Sequence, residues 1–261
     1  MNKRLKFAAG CAALLMLGAC AFDGKLQRPE NEADPYESVN RKIFSFNEGF
    51  YENIMFPIAR GYRNVTTPFV RERVSSFVAN MQEPVSAVNH LLQLEFVDSL
   101  KSVGRFAVNT TMGLGGMFDV APGWKLEPNK TSFNETLASW CVVQGPYVVV
   151  PFLGPSSPRG VTGTVVDAMA DPVFWATYND ANIRDKVTYP YEAVKYISYA
   201  ENYMGIYDDL KRNSVDFYST MRSAYMQNQQ KFRCRFAPQA DSQAYDFDFG
   251  VEDDAFDETE E

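Results

Sequence analysis

A chain of 261 residues, 46% of them hydrophobic, suits one large domain or two small ones and can bury a substantial core. Its formal charge of −8 disfavours a nucleic-acid partner, and the excess is terminal: residues 241–261 hold ten Asp and Glu and no Lys or Arg, leaving residues 20–240 close to neutral. One histidine and no Cys-x-x-Cys pair argue against a zinc site, and no cofactor is implied.

Residues 1–19 read as a secretory signal, with Lys3, Arg4 and Lys6 ahead of an apolar run from Phe7 and small residues before the cut. The end of the signal, Leu17-Gly18-Ala19-Cys20, looks like a bacterial lipobox, in which Cys20 is acylated, with palmitate-type chains, and becomes the first mature residue. Each buried CH₂ of such chains contributes about 0.8 kcal/mol, so several chains anchor durably. Ala21 resembles the residue that lets lipoproteins travel on to the outer membrane. Residues 20–33 are polar and read as a lipid-anchored tether. No later run of 18 or more apolar residues suggests a membrane-crossing helix.

Asp34-Pro35-Tyr36-Glu37 has the form of a helix start, with Asp as cap. In that helix Val39, Ile43, Phe46 and Phe50 are expected to face the core, beside a mixed stripe of Asn40, Phe44, Asn47 and Tyr51. Thr67-Pro68 starts a helix with Val70, Val74, Phe77 and Met81 inward, and Glu83-Pro84 is expected to end it and begin the next. Val85, Val88, Leu91 and Leu92 form the following stripe. His90 lies off it, where a polar or surface role is weighed against general-base work.

A helix over roughly 96–111, carrying Phe106 and Val108 and followed by Met112, feeds a cluster of Gly113, Gly115 and Gly116. Glycines there allow positive φ or close approach of another segment. A P-loop needs Lys-Ser/Thr after its last glycine, where Met117 and Phe118 stand, and a dinucleotide fingerprint needs a glycine at Phe118. The cluster therefore reads as a turn between packed helices.

Ser132-Phe133-Asn134-Glu135 resembles a capping box for a short helix ending near Trp140. The apolar run from Tyr147 to Leu153, bracketed by Gly145-Pro146 and Gly154-Pro155, suits an extended or re-entrant segment. Around Ser156 a nucleophile elbow fails because Pro158 replaces its second glycine. Ser157-Pro158 instead opens a helix with Val161, Val165 and Ala168 inward. Asp167 and Asp171 form a potential carboxylate pair on it, with Asp171 alternatively at the helix end before Pro172.

Pro190 opens a long helix bearing Val194, Ile197, Met204 and Tyr207, and a last helix over roughly 216–231 carries Phe217, Met221, Ala224 and Tyr225 inward. Strand-like alternation is nearly absent, so the class is all-α, with at most a minor hairpin. Neither an internal repeat nor a domain boundary is apparent. Of four cysteines, Cys11 leaves with the signal and Cys20 takes the lipid; an oxidising compartment permits a disulfide between Cys141 and Cys234. The acidic tail is read as a solvated terminus, or, through Tyr245, Phe247, Phe249 and Phe256, as an arm for a basic partner.

Several ordered motifs together resemble the MlaA/VacJ family of outer-membrane lipoproteins. They are Asn40-Arg41 with Phe44, Phe46 and Asn47; Glu83-Pro84 with Asn89, Leu92 and Gln93; Arg105-Phe106 with Asn109-Thr110; and Gly113, Gly115-Gly116, Phe118-Asp119-Val120. Gly145-Pro146-Tyr147, then Pro151, Gly154-Pro155-Ser156 and Arg159, then Asp216, Tyr218, Arg222 and Tyr225 complete the set.

The resemblance implies one helical domain over residues 34–233, with residues 234–261 as the acidic tail. It implies amphipathic helices arranged as a ring around a central channel, embedded in the outer membrane from the periplasmic side and bound to a trimeric porin. Phospholipids misplaced in the outer leaflet would pass through the channel to a soluble periplasmic carrier, maintaining lipid asymmetry by transport and not by catalysis. The alternative is a structural porin-associated lipoprotein without transport activity. On the transport reading Asn40, Phe44, Phe46, Asn47 and Tyr51 border the channel, and Gly113, Gly115, Gly116, Gly145, Tyr147, Pro151 and Phe152 serve a gate or hinge. Two departures from the family pattern stand out. Cys141 and Val143 replace glycines before Gly145, which stiffens that hinge, and Gly160 replaces an acid after Arg159, which removes a salt bridge there.

Overall fold

A computed structural model of the chain describes residues 34–232 together with 234 and 235. The expected signal, Cys20, the tether and nearly all of the acidic tail lie outside the described residues. α1 (Glu37–Phe50), a π-helical turn (Tyr51–Met55) and α2 (Phe56–Val65) run on as one rod. α3 (Pro68–Leu92) and α4 (Phe96–Thr111) follow, then α5 (Phe133–Ser139) and a hairpin of β1 (Val148–Val150) and β2 (Gly154–Ser156). α6 (Pro158–Ala170), α7 (Pro172–Thr177), α8 (Ala181–Ile183), a second π turn (Arg184–Thr188), α9 (Tyr189–Arg212) and α10 (Phe217–Gln230) complete the order.

Local chemistry sets several of these starts. The side chains of Thr67, Ser157, Asp171 and Asp216 accept from Val70, Gly160, Val173 and Ser219 N–H groups, and Pro follows the first three, where its missing N–H has no helical partner to lose. Contacts between elements close a ring: α1 packs on β1, β2 on α10, α10 on α9, α9 on α2, and α2 runs back to α1 through the π turn. On the far side α3 packs along α4 and also touches α5, α7 and α9.

Met204 and Tyr207 of α9 are buried as expected, but on several other helices burial runs opposite to the expected stripes. Asn40 and Asn47 are 2% exposed, whereas Val39 and Phe46 on the stripe assigned to the core are half exposed. In α3, Ser86, Asn89 and His90 are buried while Val88, Leu91 and Leu92 face out. In α4, Ser102, Arg105 and Asn109 are buried while Val97 and Leu100 are exposed. Val70, Val165, Ala168 and Val194 are likewise exposed, and so is Ala224. The reason is that the inward positions bond to irregular backbone, which needs polar partners that apolar side chains lack.

Other expectations are corrected in detail. Pro84 does not end a helix; α3 continues through it, because one lost helical bond is outweighed by packing on α4 and by the buried Glu83–Arg105 pair. Asp34 does not cap α1 directly, since its carboxylate accepts from the Tyr36 N–H one turn earlier. Ser132 does not close a capping box. Asp167 on α6 accepts from Phe133 N–H at the start of α5 and from Asn89, while Asp171 caps α7 and pairs with Lys195, so the two carboxylates serve separate sites. His90 is buried, not superficial, with Nδ1 2.8 Å from a Glu95 carboxylate oxygen and Nε2 2.8 Å from the Asn129 carbonyl. Cys141 and Cys234 are bonded, with Cα atoms 4.6 Å apart across 93 residues of sequence. Closing a loop of that length restricts the unfolded chain by about 4–5 kcal/mol in the chain-entropy model.

Candidate functional site

Within the ring, α1, the π turn after it, the hairpin, α9 and α10 line a cavity of about 620 Å³. Half of the residues on its wall are aromatic. Phe44, Phe50 and Tyr51 come from the first rod, Phe152 from the hairpin tip, and Tyr196, Tyr199, Tyr203 and Tyr207 from α9. Those four tyrosines sit three and four residues apart, so one face of α9 presents them together. This spacing is legible in the sequence, although only Tyr207 of the four falls among the residues singled out on that helix, with Val194, Ile197 and Met204. Burial pushes the Tyr203 phenol up to about 12, and burial with the Tyr196 charge raises that of Tyr51. Both stay neutral hydrogen-bonding groups at physiological pH.

The hairpin borders the cavity and is fastened by side chains of α1. Asn40 Nδ2 donates to the Tyr147 carbonyl at 3.1 Å and its Oδ1 accepts from Val149 N–H at 2.9 Å. Two turns on, Asn47 Nδ2 donates to the Val150 carbonyl at 2.9 Å and its Oδ1 accepts from Phe152 N–H at 2.7 Å. Tyr51 Oη then donates to the Phe152 carbonyl at 2.5 Å. A polar stripe at helical spacing thus stands in for a neighbouring strand, supplying partners to a free hairpin edge.

Phe152 occupies a turn closed by Leu153 N–H on the Val150 carbonyl, and its φ of +66° is a conformation glycine favours there. Hydrogen bonds to Asn47 and Tyr51 on either side of it hold that conformation. Its ring packs edge-on against Phe46 and Phe50, with centroids 5.3 and 4.9 Å away. Of the residues expected to border a channel, Phe44, Asn47 and Tyr51 line the cavity, as does Phe152 of the expected gate. Asn40 lies behind the hairpin, and Phe46 reaches the site only through Phe152. Tyr147 is 4% exposed among Phe44, Val149 and Tyr218 and does not line the cavity.

A second node ties the hairpin to the last helix. Asp34 is 7% exposed and its carboxylate accepts from Asn40 Nδ2 and from the Tyr218 hydroxyl. Arg41 lies over the Tyr218 ring and pairs with Asp216, which it holds well below the usual carboxylate range. Arg159 donates to Asn134, the Val142 carbonyl and Gln229, so without an acid at position 160 it joins three segments through neutral acceptors.

The glycine cluster sits apart from the cavity. Arg105 donates to Glu83 at 2.7 Å, to the Leu126 carbonyl at 2.6 Å and to both Asp119 oxygens at 3.1 Å. Asn109 donates to Asp119 and accepts from Val120 and Ala121 N–H groups. A Cβ on Gly116, whose φ is +93°, would stand 2.4 Å from the Asn80 amide nitrogen. A Cβ on Gly113 would stand 2.2 Å from the Phe118 carbonyl oxygen. These glycines permit close packing around a buried ion pair that the sequence reading overlooked. Among the described residues, His90, Glu95 and Asp98 bring potential cation ligands within 4.8 Å of one another, although His90 Nδ1 is engaged by Glu95 and Asp98 by Lys101.

The family model of MlaA lipoproteins matches residues 32–232. An uncharacterized protein of Rickettsia typhi is 39% identical over 196 residues, covering 73% of this chain and 74% of its own. The intermembrane phospholipid transport system lipoprotein MlaA of Haemophilus influenzae is 32% identical over 238 residues, covering 88% of this chain and 90% of its own. Its Escherichia coli counterpart is 31% identical over 181 residues, with 67% and 70% covered. A structure solved in work on the structural basis for maintenance of bacterial outer membrane lipid asymmetry matches with a TM-score of 0.64 at 30% identity, covering 77% of this chain and 98% of that one.

Proposed function

The chain belongs to the MlaA lipoprotein family, and we propose that it acts as an intermembrane phospholipid transport lipoprotein that maintains outer-membrane lipid asymmetry. In this reading it removes misplaced phospholipids from the outer leaflet through the helix ring and passes them to a soluble periplasmic carrier. The work is transport, not catalysis. Acylated Cys20 anchors the chain to the outer membrane from the periplasmic side, and a porin trimer holds it in place. No helix among the described residues is long and apolar enough to cross a membrane.

The observation that carries the reading is the inverted burial. Helices whose apolar faces point outward and whose polar faces satisfy irregular backbone inside are suited to lie against hydrocarbon, where unpaired backbone groups cost several kcal/mol each. A cavity walled by aromatics with hydroxyl tips suits an amphiphile.

The test is the outer-leaflet phospholipid of cells lacking the protein, compared with cells given back the wild type or Cys20→Ala. Transport predicts a rise on deletion that only the acylatable form reverses. An unchanged outer leaflet, with the protein still co-purifying with porin, replaces transport by the scaffold reading.

A further inference from the structure

We propose that the cavity selects phospholipids whose headgroup ends in an ammonium over anionic phospholipids, with Glu48 and the faces of Tyr51, Tyr203 and Tyr207 as the headgroup contacts. The inference rests on the reading of this cavity as a lipid site and specifies which lipid it takes.

Among the described residues, Glu48 is the one charged side chain on the cavity wall. At the mouth a single ammonium, that of Lys211, bridges two carboxylates, Glu48 and Glu52, so the charge left over is negative. All three side chains remain partly open to solvent, at 36%, 28% and 41% exposure respectively, so the triad can exchange partners. Deeper in, Tyr207 is 3% exposed and lines the cavity, yet its hydroxyl has no hydrogen-bond partner. A buried polar atom of that kind is costly unless a ligand group completes it.

The Tyr207 ring lies 5.8 Å from that of Tyr203, edge-on, and 6.3 Å from that of Tyr51, tilted, so three aromatic rings that line the cavity gather at one end of it. Burial and then the nearby carboxylates, Glu48 and Glu52 first, push the Tyr207 phenol up, and those carboxylates give this end of the cavity a field that favours cations. An ammonium is attracted by aromatic faces and by Glu48, whereas an anionic headgroup meets neither a wall cation nor a favourable field. A zwitterionic headgroup answers the whole triad. Its ammonium takes the place of Lys211 at Glu48, its phosphate pairs with the released Lys211, and an ester or phosphate oxygen accepts from Tyr207.

The experiment uses the full-length acylated chain in nanodiscs of equal parts phosphatidylethanolamine and phosphatidylglycerol, extracted into detergent, with retained lipid identified by native mass spectrometry. The wild type is expected to retain the ethanolamine lipid about three- to tenfold over the glycerol lipid. Glu48→Gln is expected to bring that ratio toward one while lipid is still retained, Tyr207→Phe to weaken retention of both lipids alike because each offers the oxygen that Tyr207 would bond, and Glu48→Asp to preserve the preference. A wild-type ratio near one, an excess of glycerol lipid, or a preference untouched by Glu48→Gln overturns the selectivity alone. Retention of neither lipid overturns both the selectivity and the reading of the cavity as a lipid site.

Discussion

Asn47→Ala isolates the fastening of the hairpin. The substitution removes one donor and one acceptor at a position 2% exposed, leaving the Phe152 N–H without its partner and the Val150 carbonyl with the Leu153 N–H alone. Each neutral hydrogen bond is worth about 1 kcal/mol net, and partial burial of the orphaned N–H raises the loss, so about 2–3 kcal/mol of local stability is expected to go. The positive φ of Phe152 is then held by the Tyr51 hydroxyl on its carbonyl, the Leu153–Val150 turn bond and the packing of its ring on Phe46 and Phe50. At 1.4 kcal/mol per tenfold, the open hairpin becomes about 30- to 150-fold more populated. Amide hydrogen exchange of peptides spanning residues 147–154 reads this directly, because local opening governs exchange there. Phe46→Ala is the control. It removes one half-exposed edge-to-face contact, worth about 0.5–1 kcal/mol, and should accelerate exchange only about two- to fivefold. Equal exchange in Asn47→Ala and wild type, or a larger effect from Phe46→Ala, would refute the view that the asparagine stripe holds the hairpin.

Three further outcomes are expected. Arg105→Met leaves the fully buried Glu83 carboxylate without its cation and should cost about 3–5 kcal/mol in denaturant unfolding, with much of the loss recovered in the Glu83→Met/Arg105→Met pair. Gly116→Ala combines a positive φ with a clash against Asn80, whose bond to Thr110 would have to break, so it should destabilise by about 2–4 kcal/mol. Gly115→Ala, with the same backbone demand and open space around it, should cost only about 1 kcal/mol. For Asp216, hydrogen bonds from Arg41 and Ser219 lower the folded pKa, so the folded state binds fewer protons than the unfolded one. The resulting stability is present above about pH 4 and lost as pH falls below it. Thermal midpoints of Asp216→Asn should therefore fall less steeply with acidification than those of the wild type, by an increment that exposure of the pair keeps small.

Helix caps were legible at Thr67-Pro68 and Ser157-Pro158, where cap and proline act through the nearest backbone groups, but not at Asp34-Pro35, whose carboxylate is drawn to Asn40 and Tyr218. The expected helix over 96–111 matches α4, although no side chain caps its start and no proline opens it. Pro84 and Ser132 misled because distant partners decide their surroundings: Arg105 holds Glu83 from α4, and Asp167 reaches the start of α5 from α6. Glu83, Arg105 and Asp119 lie 22 and 14 residues apart, with no spacing that announces an ion pair. The cavity itself was half visible. Phe44 and Asn47 on α1 and Tyr51 on the π turn fall on the mixed stripe expected there, while of the facing tyrosines of α9 only Tyr207 falls among the residues singled out on that helix.

Periodicity identifies a stripe on a helix but not the medium that the stripe faces. An apolar stripe turns inward only where water lies outside; against hydrocarbon it gains nothing by burial, and packing and hydrogen bonding decide the orientation. Asn40, Asn47, Asn89 and Asn109 all lie within 3% of full burial on helices that carry apolar residues outward. Each bonds to groups beyond its own helix: Asn40 and Asn47 to the hairpin, Asn109 to the glycine loop, Asn89 to Asp167 and Thr136. On the proposed reading, non-helical backbone can sit beside lipid only if protein groups complete its hydrogen bonds. The inward asparagines supply those groups for the hairpin and the glycine loop. They therefore make tolerable the irregular segments that a lipid passage needs and that helices alone cannot provide.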